Sequence, residues 1–491
     1  MTSPTLVRSR TLVLATLLLS LGSLCFAQRT GRPASDVISR LTQPRDVSIT
    51  GNSVDTGTGG FSLEASVLQV QGGRTLSFTV MHDSISTPAA IIGQPLLVGL
   101  GWTHSYAARL QGRSGGPVTV HWDDHRSNRF GFSGGAYAPL DESARYDRLE
   151  EINGLVRCND CAWRVTREDG TWLAFDSAGV LKLIANRIGQ RLEVEKSLGR
   201  VLRVVEPISG REIEFTYGAA NRIQYVSDPA GRRAYFEYDS LGRLTALHNP
   251  STVSDLLLQP AVIIPIPDNG VLTQNIDISG RPDEAGIVLL PGTRFSHPRA
   301  SDVRVTLTSP TGKEVDITAM AERPNETIFN YENVVLNQFQ GDQANGRWTL
   351  RIRDMQAGAV GESFGFTVQV SEPTYPTFFR YSDAGQISEA LDANGERIFA
   401  NSYDSLGRVA AQDDGRMDNP LAMFAYREAG QGIVTTVTDR LGFSYRYEHD
   451  ANYRLLRYAD PLDSETRYEY AFNGDRTAII DALGRRTTFQ Y

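Results

Sequence analysis

Only three cysteines stand in a chain of 491 residues: Cys25, Cys158 and Cys161. That is too few for a disulfide framework, so apolar burial must hold the fold. Lysine is as scarce (Lys182, Lys196, Lys313), and there are seven histidines. Basic excess is missing too, with 49 Lys and Arg against 57 Asp and Glu and a net charge of -8. A phosphate backbone needs a basic face, so nucleic acid is not the expected partner. Beyond the first 27 residues no run is apolar enough to span a bilayer. What is present is an ordinary globular mix, 41% hydrophobic and 22% charged, which excludes wholesale disorder. The length suggests roughly three domains.

Residues 1–27 read as an export signal. Arg8 and Arg10 precede an apolar stretch at 12–21, and Cys25-Phe26-Ala27 offers small residues where a signal peptidase inspects them. A membrane anchor would need about 20 apolar residues. Cys25 as a lipidation site is disfavoured by the large Leu24 before it. Cleavage before Gln28 would remove two arginines and leave a mature charge of -10. The expected destination is outside the cytoplasm: secreted, periplasmic or at the cell surface.

The body of the chain repeats itself. YDSLGRL at 238–244 recurs as YDSLGRV at 403–409. The relaxed pattern, aromatic-Asp-x-x-Gly-Arg-apolar, has its glycine slot at Gly179, Gly199, Asn221, Gly242, Gly385, Gly407, Gly430, Tyr453 and Gly474. The steps between slots are 20, 22, 21, 143, 22, 23, 23 and 21 residues. A second Asp-x-x-Gly falls between many of them, as in DPAGR at 228–232 and DALGR at 481–485. Asp opens a type I turn and the slot residue closes it at positive φ. Asn221 suits that position, whereas Tyr453 does not and predicts a distorted turn. Each repeat is therefore two turns and two strands. A lone hairpin cannot bury its face, but stacked hairpins can. Nine copies at about 4.8 Å per strand make a ribbon of roughly 85 Å, which must curl.

These Tyr-Asp motifs resemble the Rhs/YD-repeat proteins. VDTGTGGFSL at 54–63, GLGWTHSY at 99–106 and DGTWLAFDSAGVLKLI at 169–184 are similar to the segments that begin such proteins. The resemblance covers about residues 45–252 and 374–491. It implies an all-β fold, a curled sheet of stacked hairpins that spirals into a hollow shell. In many members that shell encloses a C-terminal toxin, and in others it belongs to a surface or wall-associated protein.

The 143-residue step is one repeat plus about 120 extra residues. Pro260, Pro265 and Pro267 mark its beginning, Pro373 and Pro376 its end. Strand-like runs lie inside at 275–279, 303–308, 314–318, 348–353 and 364–370. The segments 301–315 and 346–370 resemble the P domain (Homo B) of proprotein convertases, with Phe366 where many members carry Trp. That resemblance implies a jelly roll of eight strands. The expected organisation is a signal peptide (1–27), an N-terminal Rhs-type β region (28–170), a first repeat block (171–252), the inserted P domain (253–373) and a second block (374–491). The last copy begins at Tyr491, so either a truncated reading frame or a fragment whose C-terminal edge self-associates is expected.

The chemistry-bearing residues are few. His121 and His125 are four apart, about 13 Å on a strand, so a hairpin turn fits them better than a metal. Cys158 and Cys161 form a lone CxxC without the second pair zinc needs or the βαβ setting of a redox motif, and a small disulfide loop is expected. Asp283, Glu284, Asp302, Asp354 and Glu362 offer oxygen ligands, so calcium is considered, with Asp302, Asp354 and Glu362 the candidates. No other cofactor is expected. No nucleophile motif of the subtilisin kind is found, so no catalytic residue is assigned and no enzyme is expected. Serine-endopeptidase activity would attach to the P domain only through its relatives. Three functions remain open: a secreted structural shell carrying a C-terminal toxin, a surface module binding glycan or wall polymer, and an accessory of a protease system.

Overall fold

The computed structural model describes residues 53–85, 97–218, 221–253, 257–258, 263–332, 334–430 and 432–490. The export signal expected at 1–27 lies outside them. Antiparallel ladders run from Arg148–Glu151 through both repeat blocks to Arg486–Thr488, each strand pairing its sequence neighbour. Among the described residues no ladder pairs the first of these strands with the last, so the sheet is curled and not a closed barrel. Its ends nevertheless meet: the Arg145 guanidinium pairs with Asp475, and the Tyr146 hydroxyl donates to both Asp475 oxygens at 3.0 Å.

The local cause of the ladder is the turn. In the 238–244 motif the Asp239 carboxylate accepts the backbone N–H groups of Leu241 (3.0 Å) and Arg243 (2.9 Å) through one oxygen. The other oxygen takes the Arg243 Nε at 2.7 Å. Asp404 and Asp450 repeat the arrangement with Arg408 and Arg454. All nine slot residues have φ between 59° and 88°. Tyr453 corrects the sequence expectation. Its turn is regular, with Tyr453 N donating to Asp450 O and Asp450 N to Arg454 O, both at 3.0 Å. The Asp450 clamp holds the left-handed backbone at a cost of about 1–2 kcal/mol.

The same motif joins each repeat to the next. The motif tyrosine donates its hydroxyl to the carbonyl two residues past the preceding slot: Tyr217 to Val201, Tyr238 to Ile223, Tyr403 to Ile387, Tyr426 to Val409 and Tyr470 to Leu455, at 2.7–2.9 Å. The clamped arginine lies over the ring of the next tyrosine, as Arg408 does over Tyr426 (4.4 Å) and Arg454 over Tyr470 (5.3 Å). Burial pushes the Tyr403 and Tyr426 phenols well up, so they remain donors at every ordinary pH.

The insert does not interrupt this chain of contacts. Strand Leu244–His248 pairs with Pro376–Tyr381, with Ala246 opposite Phe378. Tyr381 donates to Leu244 O at 2.6 Å, and Arg243 lies over its ring at 5.1 Å. The residues between form a separate sandwich. One sheet comprises Val271–Ile278, Gly346–Asp354, Val303–Thr308 and Glu314–Asp316. The other layer consists of two sheets, one of five strands that includes Gly361–Gly365 and one of four strands that includes Thr367–Val370. Trp348, Leu350 and Val305 from the first face Phe295, Phe329 and Phe366 from the second in one buried cluster.

The curled sheet of stacked hairpins is the architecture expected from the sequence, and a further sheet covers part of its inward face. A three-stranded sheet, Ser62–Val70, Leu76–Asp83 and Trp102–His104, packs against the inward face of the curl. Phe78 meets Phe215 edge-on (4.9 Å), Trp102 meets Phe379 (5.1 Å) and Phe61 meets Phe399 (4.9 Å), so this plug touches both repeat blocks. The curled sheet also begins earlier than the first repeat motif, because Arg148–Glu151 and Cys161–Thr166 already belong to it.

Two outcomes follow. Tyr403→Phe should lower stability by about 1 kcal/mol and Asp404→Ala by about 2 kcal/mol, measured by urea denaturation, because each strands backbone partners. Joining residue 252 to 374 should leave a cooperatively melting β sheet; a collapsed circular dichroism signal would show that the insert is part of the sheet's core.

Candidate functional site

The seven histidines are distributed without forming a catalytic set. His82 and His104 are buried in the plug, and burial pushes both imidazoles down to about 3. His121 ends strand Val118–His121, and His125 sits in the following turn with φ 66°. Among the described residues no three His, Cys, Asp or Glu side chains gather as a metal would require. Asp302 is buried and paired with Arg299 at 3.1 Å. Glu362 is exposed on strand Gly361–Gly365. Asp354 lies 3.4 Å from His297 Nε2, both side chains fully buried. Burial pushes the Asp354 carboxyl up, but the N–H groups of Gln356 and Asn269, with His297, hold it below the usual range. The three calcium candidates therefore stand apart in function: an ion pair, a buried loop anchor and a surface residue. Cys158 and Cys161 form a disulfide, with Cα atoms 5.4 Å apart.

The most organised polar cluster lies where the insert meets the outer face of the sheet, and no sequence motif announced it. Strand Arg232–Tyr238 turns Ala234 and Phe236 inward to the plug and Tyr235 and Glu237 outward. Tyr235 packs with Ile287 and Leu289 of the insert. Glu237 Oε1 lies 2.5 Å from His248 Nε2, and His248 Nδ1 lies 2.8 Å from Thr374 Oγ1. Asn337 donates to the other Glu237 oxygen at 2.5 Å, and Gln340 donates to Thr374 O at 2.7 Å. A hydroxyl, an imidazole and a carboxylate in a row have the connectivity of a hydrolase relay. Thr374 and His248 are each only 1% exposed, however, so no substrate reaches the hydroxyl. The cluster is a joint: it ties both ends of the insert's attachment to the repeat strand beneath. Burial pushes the Glu237 carboxyl up, and the His248 and Asn337 bonds outweigh it and hold it below its ordinary value.

The comparisons with known proteins divide along the same lines. A family model described as the proprotein convertase P-domain matches residues 292–369, within the insert. One described as a domain of unknown function, DUF6531, matches residues 51–130, the plug and the sheet after it. Neither spans half of the chain, and no curated protein matches it. Among solved structures, the serine protease of Aeromonas sobria is 14% identical over 33% of this chain and 36% of its own, with a TM-score of 0.18. The TcdB2-TccC3 structure is 14% identical over 86% of this chain and 18% of its own, with a TM-score of 0.24. The Tc holotoxin pore of Photorhabdus luminescens is 10% identical over 87% of this chain and 22% of its own, with a TM-score of 0.15. The chain thus covers between 18% and 36% of these proteins.

The joint gives a pH dependence. Because the folded Glu237 value is depressed, its contribution is complete above the unfolded value and is lost as pH falls through the folded one. Protease protection of the insert's attachment should therefore weaken on acidification below the carboxylate range. Glu237→Gln should cost about 1–3 kcal/mol near neutrality and flatten that profile; an unchanged profile would mean another group holds the insert.

Proposed function

We propose that this chain is a non-enzymatic, exported scaffold of the Rhs/YD-repeat type, a stiff curled sheet that holds a P-domain sandwich on its outer face. The observation that carries the reading is the tie from Arg243 and Leu244 O to Tyr381, which lets the repeat register pass beneath the insert as though it were absent. A sheet selected only as a linker would not need that continuity. The buried joint at Glu237 supports the same reading, because it fixes the sandwich to the sheet instead of leaving it on a tether. The P domain is an accessory module and brings no catalytic residues of its own. The finer role is the carrier part of a toxin system, a reading that rests on the repeat resemblance. The export signal at 1–27 supports passage out of the cytoplasm.

The test combines chemistry and mechanics. Purified protein should neither hydrolyse peptide substrates nor take up a fluorophosphonate label. Hydrogen exchange should show strands of both blocks, such as Arg232–Tyr238 and Arg397–Tyr403, opening in one cooperative unit. Labelling that tracks with hydrolysis, or two blocks opening at separate free energies, would overturn the scaffold.

A further inference from the structure

The motif tyrosines give their hydroxyls to backbone carbonyls, but a second set does not. Strand Ser444–His449 sets Tyr445 opposite Val437 and Tyr447 opposite Thr435. Val437 belongs to the inward core, and Thr435 donates to Thr56 O just before the plug. Tyr445 and Tyr447 therefore stand on the inward face, and both pack against that core. Strand Leu455–Ala459 brings Tyr458 directly opposite Tyr447 in the ladder. The two ring centroids are 5.2 Å apart, with the planes tilted by 51°. Tyr445, Tyr447, Tyr458 and Tyr468 are all half-buried, and none of their hydroxyls has a hydrogen-bond partner among the described residues. Partnerless tyrosine hydroxyls sealed from water occur at Tyr235 and Tyr331, not at these four.

That difference decides which rings can be oxidised. A phenol that loses an electron must lose its proton too. Where the hydroxyl donates to a carbonyl, as Tyr426 does to Val409 O, the acceptor is a weak base and holds the proton poorly. The free hydroxyls of Tyr447 and Tyr458 hand theirs to water. Burial, and after it the neighbouring phenols, pushes both groups up, so each ring starts as a neutral phenol and leaves as a neutral radical. One other tyrosine pair is in ring contact among the described residues, Tyr225 and Tyr235 at 5.7 Å. Tyr235 is 0% exposed beneath the insert and its hydroxyl is sealed, so that pair is a built-in control.

We propose that Tyr447 and Tyr458 are an oxidative cross-linking site, joined as dityrosine by two equivalents of a small one-electron oxidant such as a peroxide-derived radical. Each ring gives one electron to the oxidant and one proton to water. The two radicals couple through the ring carbons beside their hydroxyls, forming one C–C bond. The hydrogen on each joined carbon then moves to its oxygen and restores the phenol, so the product is lighter by two hydrogen atoms. Ring contact across the ladder replaces a diffusional encounter, and this favours the pair over coupling between molecules. The bond staples strands Ser444–His449 and Leu455–Ala459 and restricts their open state, as any cross-link does.

The test exposes dilute full-length protein to a stoichiometric amount of azide radical generated by pulse radiolysis. The expected result is dityrosine fluorescence in the monomer fraction. Trypsin should then release peptides 447–454 and 458–467 as a joined pair, lighter by two hydrogen atoms than the sum of its parts. Fragmentation should place the link at Tyr447 and not at Tyr453. Tyr447→Phe and Tyr458→Phe keep each ring and remove no hydrogen bond, so each should abolish the pair at an unchanged melting temperature. Tyr445→Phe should leave it, and urea should abolish it by separating the rings. Absence of dityrosine, dityrosine confined to dimers, a link that survives either of the first two variants or urea, or Tyr225–Tyr235 as the main product would overturn the site. Should a variant fail to melt cooperatively, the peptide pair from the unaltered protein, in buffer against urea, decides alone.

Discussion

The structure depends on one repeated contact, a tyrosine hydroxyl donated to a backbone carbonyl of the preceding repeat with an aspartate-clamped arginine over the same ring. Each part has its own reason. The aspartate satisfies two turn N–H groups and fixes the guanidinium. The guanidinium covers the ring, and the ring delivers the hydroxyl to a carbonyl, as Tyr426 does at Val409 O. Neighbouring hairpins thereby gain a directional tie in addition to their ladder, so the repeat-to-repeat angle is set by side chains as well as by strand twist. Where a motif carries glutamine in place of arginine, the tie changes form: Gln386 donates to Gly407 O at 2.7 Å and to Ser84 O at 3.1 Å, binding the next turn and the plug together.

That contact explains why a sandwich of its own core can sit inside the sheet's sequence without entering the sheet. The ladder needs only Leu244–His248 beside Pro376–Tyr381, and the Arg243–Tyr381 contact supplies the register. The insert then needs a second fixing point, and the Glu237 joint provides it with groups already on the exposed side of the same strand. Plug and insert thus occupy opposite faces of the strand Arg232–Tyr238, one through Ala234 and Phe236, the other through Tyr235 and Glu237.

The hairpins were legible in the sequence because their causes are local. Asp-x-x-Gly determines a turn within five residues, and its recurrence at 20–23 residues shows the stacking. The insertion was legible as a break in that period. Tyr453 was misjudged because residue preference alone ignores the Asp450 clamp, whose hydrogen bonds outweigh the strain of a tyrosine at φ 59°. The joint was not legible: Glu237 and Asn337 are 100 residues apart, His248 and Thr374 126 apart, and none of them stands in a motif.

What the sequence by itself determined is therefore the repeat, its two turns and the place of the insert, since these follow from backbone preferences and hydrogen bonds between near neighbours. Only the tertiary structure decided that part of the inward face is covered by the segment before the repeats, and that the Glu237 carboxylate faces the insert. Those placements depend on which distant surfaces meet, and alternation along a strand records only that a side chain faces one side of the sheet, not what waits there.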